Sequence, residues 1–104
     1  KYEKPMVLDA MCGPGTLGIY ALKKNAKKVV FNDIYDEALD SLKINLKVNS
    51  INGEDYEIFN ENLLNLPKKI EYKFDIGIID AFPNIDTSNY QNILKKICQS
   101  QSLN

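Results

Sequence analysis

The stretch VLDAMCGPGTLGI, residues 7–19, decides the fold. It reads as a buried strand, then a turn carrying Gly13, Gly15 and Gly18, then the opening of a helix. Glycines at such a turn reach left-handed backbone angles and let a ligand come close to the main chain. A strand that feeds a helix through a tight turn is half of a βαβ unit, so the rest of the chain should alternate.

It does alternate. Met6–Ala10 predicts a first strand, and Thr16–Lys24 a helix opened by the glycine turn. Lys28–Asn32, KVVFN, is β-branched and aromatic and reads as a second strand. Asp36–Asn49 is the clearest helix: Leu39, Leu42 and Leu46 fall at i, i+3 and i+7, with Asp36 as the expected cap. NSING, residues 49–53, is a turn, and Tyr56–Asn60 is a third strand. Phe74–Asp80, FDIGIID, is a fourth, apolar enough to be buried on both faces. Ser88–Gln99 closes the chain as a helix, with capping-box spacing at Ser88 and Gln91 and one apolar face from Ile93, Leu94 and Ile97. The fold class is therefore α/β with a parallel sheet.

The 104 residues suit one domain, 1–104, with a core of its own. A hydrophobic share of 44% and a charged share of 26% are ordinary for a globular chain. The net charge of −1 carries no basic signature, and all 13 cationic residues are lysines, so no arginine can grip a phosphate in bidentate fashion. Histidine is absent, which leaves any proton transfer to carboxylates, Tyr, Lys or backbone. Cys12 and Cys98 lie too far apart in sequence to suggest a disulfide framework or a zinc spacing. That usage points to a reducing cytoplasm, and no metal is expected. No apolar run approaches a membrane span. The chain opens on Lys1 rather than Met, as an excised piece of something longer would.

In parallel sheets ligands sit at the carboxyl ends of the strands. Every strand here ends in acids or amides: Asp9 and the glycine turn, Asp33, Asn60-Glu61-Asn62, and Asp80. Gly13, Gly15 and Gly18 spell G-x-G-x-x-G, and Asp33 comes 20 positions after the first of them at the end of a strand, where an acid meets ribose hydroxyls. The combination points to an adenosine-containing ligand. NAD would put a pyrophosphate on the helix N-terminus, and Asp9 at the same mouth would repel it. A ligand carrying an ammonium and a sulfonium, such as S-adenosyl-L-methionine, would be attracted.

These residues resemble class I S-adenosylmethionine-dependent methyltransferases, whose first motif is a hydrophobic strand, an acid, then G-x-G. The likeness runs from about Met6 to Asn84. AKKVVFNDIYDEALDSLKINLKVN is similar to the second-strand acid and following helix of RNA and DNA base methyltransferases, and FDIGIIDAFPN to their fourth-strand motif. The resemblance implies a Rossmann-like sheet of order 3-2-1-4-5, of which four strands are visible here. It implies that Asp9 and the backbone of Cys12, Gly13 and Gly15 hold the methionine portion, that Asp33 accepts from the ribose hydroxyls with Ile34 next to it at the cofactor, and that Glu61 or Asn62, one register apart, stands near the adenine. It places Asp80, Phe82 and Pro83 at the methyl acceptor. There the acid accepts hydrogen bonds from an exocyclic amine and the ring stacks on a base. Ala81 stands where amino-directed members have proline, and small-molecule methyltransferases also carry an acid after this strand.

The expected activity is methylation of an RNA base, in tRNA or rRNA. A silent cofactor-binding fragment of a larger methyltransferase and an NAD-dependent oxidoreductase are the alternatives. With a fifth strand absent, Phe74–Asp80 would be a long apolar edge open to self-association.

Overall fold

A computed structural model of the chain describes residues 3–70, 73–80 and 88–97. Strand β1 is Met6–Asp9, helix α1 Thr16–Lys23, β2 Lys28–Asn32, α2 Asp36–Val48, β3 Tyr56–Phe59, β4 Ile76–Ile78 and α3 Ser88–Ile97. The sheet is parallel throughout, in the order β3-β2-β1-β4. That is the order the resemblance implied. Its register pairs Leu8 with Val30 and with Gly77, so β1 lies at the centre with a neighbour on either side.

Strand periodicity divides the core into two layers. Val7, Val29 and Phe31 point to one face, where Ile19 of α1 and Leu39, Leu42 and Leu46 of α2 cover them. Leu8 and Val30 point to the other, where Leu63, Leu66 and Phe74 are buried and Leu94 of α3 packs against them. Both faces are covered, which is why the β1 and β2 sequences are runs of apolar residues rather than alternating ones. Phe31 and Tyr56 meet edge to face with ring centroids 6.3 Å apart.

The turns after α1 and α2 are built alike. Asn25 (φ 74°) and Ser50 (φ 56°) take left-handed backbone angles without being glycine. Around them Ala26 N–H donates to Ala21 O and Ile51 N–H to Leu46 O, closing each helix with a Schellman pair.

The differences from the expected elements are local. Tyr35, not Asp36, is the N-cap of α2; Asp36 and Glu37 fill its first turn, where acids favour the helix dipole. Two 3-10 segments, Gly53–Asp55 and Leu63–Lys68, carry no periodicity that would have announced them. The fourth strand is shorter than the apolar run that suggested it. Ile76–Ile78 forms the continuous ladder and Phe74 an isolated bridge, while Asp75 bonds Met6 through both its N–H and its carboxylate. The continuous strand is thus three residues, and among the described residues it pairs with β1 alone. Lys28 is not a simple solvated lysine: its Nζ lies 2.9 Å from Glu57 on the neighbouring strand. Residue 98 and the positions after it, including the expected end of the last helix, lie outside the described residues.

Candidate functional site

The carboxyl ends of β1, β2 and β3 bring three chain segments together, and the first is the glycine turn. Its glycines do different work. A side chain on Gly13 (φ 54°) would meet nothing within 4 Å, so the main chain is open there. Gly15 (φ 88°) is the N-cap of α1, and a Cβ on it would run into the Leu42 side chain. A Cβ on Gly18 would run into the Phe31 ring and stand 2.9 Å from Asp9 Oδ2. The turn is therefore open at Gly13 and closed in at Gly15. Gly15, whose backbone the resemblance also set at the methionine portion, is needed for packing and for its backbone angle.

Gly15 has no side chain with which to cap α1, and Asp9 supplies the missing acceptor from the end of β1. Gly18 N–H donates to Asp9 Oδ2 at 3.0 Å. The carboxylate lies under the turn, 2% exposed. Burial pushes its pKa from 3.8 up to about 6; the Gly18 bond works against that rise, and the charges of Asp80 and Asp33 add to it. Asp9 thus reaches the mouth of the site through its field.

Asp33, at the end of β2, ties the second segment to the first. Its Oδ2 accepts from Gly13 N–H at 2.8 Å and its Oδ1 from Tyr35 N–H at 3.0 Å. Each oxygen keeps a further lone pair for an incoming hydroxyl. Next to it, Ile34 is 52% exposed, an apolar surface beside a polar edge. Cys12 is buried in the turn and donates weakly to Gly13 O at 3.4 Å. Burial, then the charges of Asp9 and Asp33, push its thiol up to about 12, so it is a packing residue and not a nucleophile.

The third segment comes after β3. Glu61 is half-buried, and its carboxylate has no hydrogen-bond partner among the described residues. Asn62 turns its Oδ1 back to Leu64 N–H at 3.0 Å, as the cap of the 3-10 segment. Of the two residues expected near an adenine, Glu61 has the uncommitted oxygens. Asp80 is exposed after β4 and close enough to Asp9 to raise its pKa. Phe82 and Pro83, the other two residues expected at the acceptor, lie outside the described residues.

The sequence reading gave no holding role to a set of asparagines. Asn45 of α2 holds the turn through Pro14 O at 2.9 Å. Asn32 and Asn60 tie the β3 segment to the other two. Their signal was hidden because asparagine is frequent along this chain and each bond spans more than 20 positions.

A family pattern described as conserved hypothetical protein 95 matches residues 1–104. The chain belongs to this family. Among relatives of this conserved hypothetical protein 95 member, an uncharacterized RNA methyltransferase of Clostridium acetobutylicum is 41% identical over 68 residues, covering 65% of this chain and 14% of that protein. The ribosomal RNA small subunit methyltransferase D of Haemophilus influenzae is 29% identical over 98 residues, covering 92% of this chain and 50% of its own length. The chain thus spans half or less of the curated relatives named here. Among solved structures, an rRNA methylase from Streptococcus thermophilus superposes with a TM-score of 0.75 at 20% identity, over 92% of this chain and 56% of that one. Likeness at that identity shows the shared Rossmann-like fold.

Proposed function

We propose that this chain is the cofactor-binding core of an S-adenosyl-L-methionine-dependent methyltransferase that acts on RNA. The observation that carries the reading is the join of Gly13 and Asp33: an open main chain beside an acid whose oxygens each retain a lone pair, at the carboxyl ends of adjacent strands. The relatives support methyl transfer, and RNA, rRNA and tRNA methyltransferases stand among them beside ribosomal protein L11 methyltransferases. A Streptococcus mutans protein of the same fold was solved in complex with S-adenosylhomocysteine, at a TM-score of 0.67 and 17% identity. The alternative of NAD fits less well. Gly18 N–H, one of the groups a pyrophosphate would use at the α1 N-terminus, is already bonded to Asp9, and the Asp9 and Asp80 charges oppose an anion there.

In this reading Asp33 holds the ribose hydroxyls, Gly13 lets the main chain approach, Ile34 and Glu61 border the adenine, and the field of Asp9 attracts the ammonium and sulfonium. The cofactor supplies an already activated methyl group. The residues of the chain then have to align the acceptor and exclude water, which needs no histidine. Asp80 would accept a hydrogen bond from an acceptor amine, with Phe82 and Pro83 beside it in sequence. A cytoplasmic setting agrees with an RNA substrate. No helix among the described residues is long and apolar enough to cross a membrane.

Calorimetry of the chain against S-adenosylmethionine, S-adenosylhomocysteine and NAD tests the proposal. The first two should bind and NAD should not. Asp33→Ala should weaken binding of S-adenosylhomocysteine by about 1.5–3 kcal/mol, the scale of a hydrogen bond to a charged group. Unchanged affinity in that variant would remove Asp33 from the site, and binding of NAD alone would replace the reading.

A further inference from the structure

The ladder between β2 and β3 ends at the pair Asn32 and Phe59. Beyond it the main chain of residues 60–62 has no strand to hold it, and two side chains take over. Asn32 is 1% exposed, and every hydrogen-bonding group of its amide is used. Its Nδ2 donates to Ala10 O at 3.1 Å and to Glu61 O at 3.0 Å, and its Oδ1 accepts from Glu61 N–H at 3.0 Å. Its own main-chain oxygen accepts from Cys12 N–H at 2.8 Å. Residue 32 therefore touches the glycine turn and the β3 segment at once. Asn60 works from the opposite direction: its Nδ2 donates to Asp33 O at 3.0 Å and Ile34 O at 3.2 Å.

We propose that Asn32 and Asn60 are positioning residues that fix Glu61 relative to the glycine turn and to Ile34, and so set how selectively the site reads the purine edge of its ligand. The inference rests on the cofactor reading above and adds the device that makes it selective. The chemistry demands amides. The Glu61 peptide offers one donor and one acceptor, and only a group with both can satisfy the two together. A carboxylate at 32 could accept but not donate, and would bury another charge beside Asp9 and Asp33. At 60 both partners are carbonyl oxygens, so only a donor serves. These bonds reach Glu61, Asp33 and Ile34, three residues placed at the purine and ribose end, and none reaches Asp80.

The test compares S-adenosylhomocysteine with S-inosylhomocysteine, in which the exocyclic amine of the purine is replaced by oxygen. Titrations use the unaltered 104-residue chain, Asn60→Ala, Asn60→Asp and Asn32→Leu. Asn60 is exposed, so its variants should keep the far-UV circular dichroism of the parent, whereas Asn32→Leu is read only if it folds. The unaltered chain should prefer the adenosine compound by on the order of tenfold. Both Asn60 variants should bring that ratio close to unity, because neither alanine nor aspartate donates. A purely structural role would lower both affinities in proportion and leave the ratio alone; that result overturns the proposal while the cofactor reading stands. Equal affinity of the unaltered chain for the two compounds also overturns it. Binding of neither compound to the unaltered chain removes the cofactor reading and this inference with it.

Discussion

The turn after β1 and the segment after β3 border the same edge of the sheet but are held by opposite means. Around the glycine turn, buried carboxylates accept from main-chain N–H groups: Asp9 from Gly18 and Asp33 from Gly13. Around the β3 segment, neutral amides bond both main-chain polarities, as Asn32 does with the N–H and the carbonyl of Glu61. An acid can only accept, so it suits a turn whose N–H groups converge; an amide suits a peptide that must be gripped on both sides. The first arrangement adds negative charge to the site and costs desolvation, which the raised pKa of Asp9 records. The second adds rigidity without charge.

The sharpest way to break this comparison is at the glycines. Gly15→Val should destabilise the fold by about 2–5 kcal/mol, since overpacking against Leu42 adds to the strain of a positive φ. Gly13→Ala, in open space, should cost only about 1 kcal/mol of stability while weakening binding of S-adenosylhomocysteine. Urea denaturation of both variants, with calorimetry of the second, separates the packing glycine from the approach glycine. Equal stability losses would erase that distinction.

A smaller effect is expected at Asp9. Its folded-state pKa of about 6 lies above the ordinary 3.8, so the folded chain holds this proton more tightly than the unfolded one. Its contribution to stability is then fully present below pH 3.8 and is lost as pH rises through about 6. Asp9→Asn keeps an acceptor for Gly18 N–H and removes the buried charge. It should gain on the order of 2–3 kcal/mol at pH 8 and flatten the stability profile between about pH 4 and 6. Binding of S-adenosylmethionine should weaken in the same variant. Thermal unfolding across that pH range decides it, and an unchanged profile would mean that Asp9 carries no such penalty.

The smallest effect concerns Ser50, outside both regions. Ser50→Gly should stabilise the chain by about 0.5–1 kcal/mol by relieving its left-handed angle, with no change in ligand affinity. The same denaturation series measures it.

Legibility in the sequence divides along the same line. The glycine turn and Asp33 could be read because their chemistry sits at fixed short offsets inside one βαβ unit. Apolar runs in β1 and β2 and the leucine spacing of α2 gave the layers for the same reason. Asp9 was expected at the mouth and lies beneath the turn, since sequence gives the strand end and not how far the turn folds over it. The two glycines could not be told apart, because a G-x-G pattern does not say which one stands in open space and which faces Leu42. At the β3 segment the polar run 60–62 could be read, but not what holds it. Its holding bonds run from Asn32 to residues 10 and 61, a pairing that exists only once three strands lie side by side.

Cys12 gives the turn a clock. A thiol held near pKa 12 beneath the main chain reacts only when the turn lifts, so its alkylation rate counts openings and not encounters with reagent. With Cys98 replaced by serine, one thiol reports the breathing of the whole Asp9–Gly18 arch. A ligand lying across Gly13 would slow that clock in proportion to its occupancy. Local opening of this edge can then be timed without any label foreign to the chain.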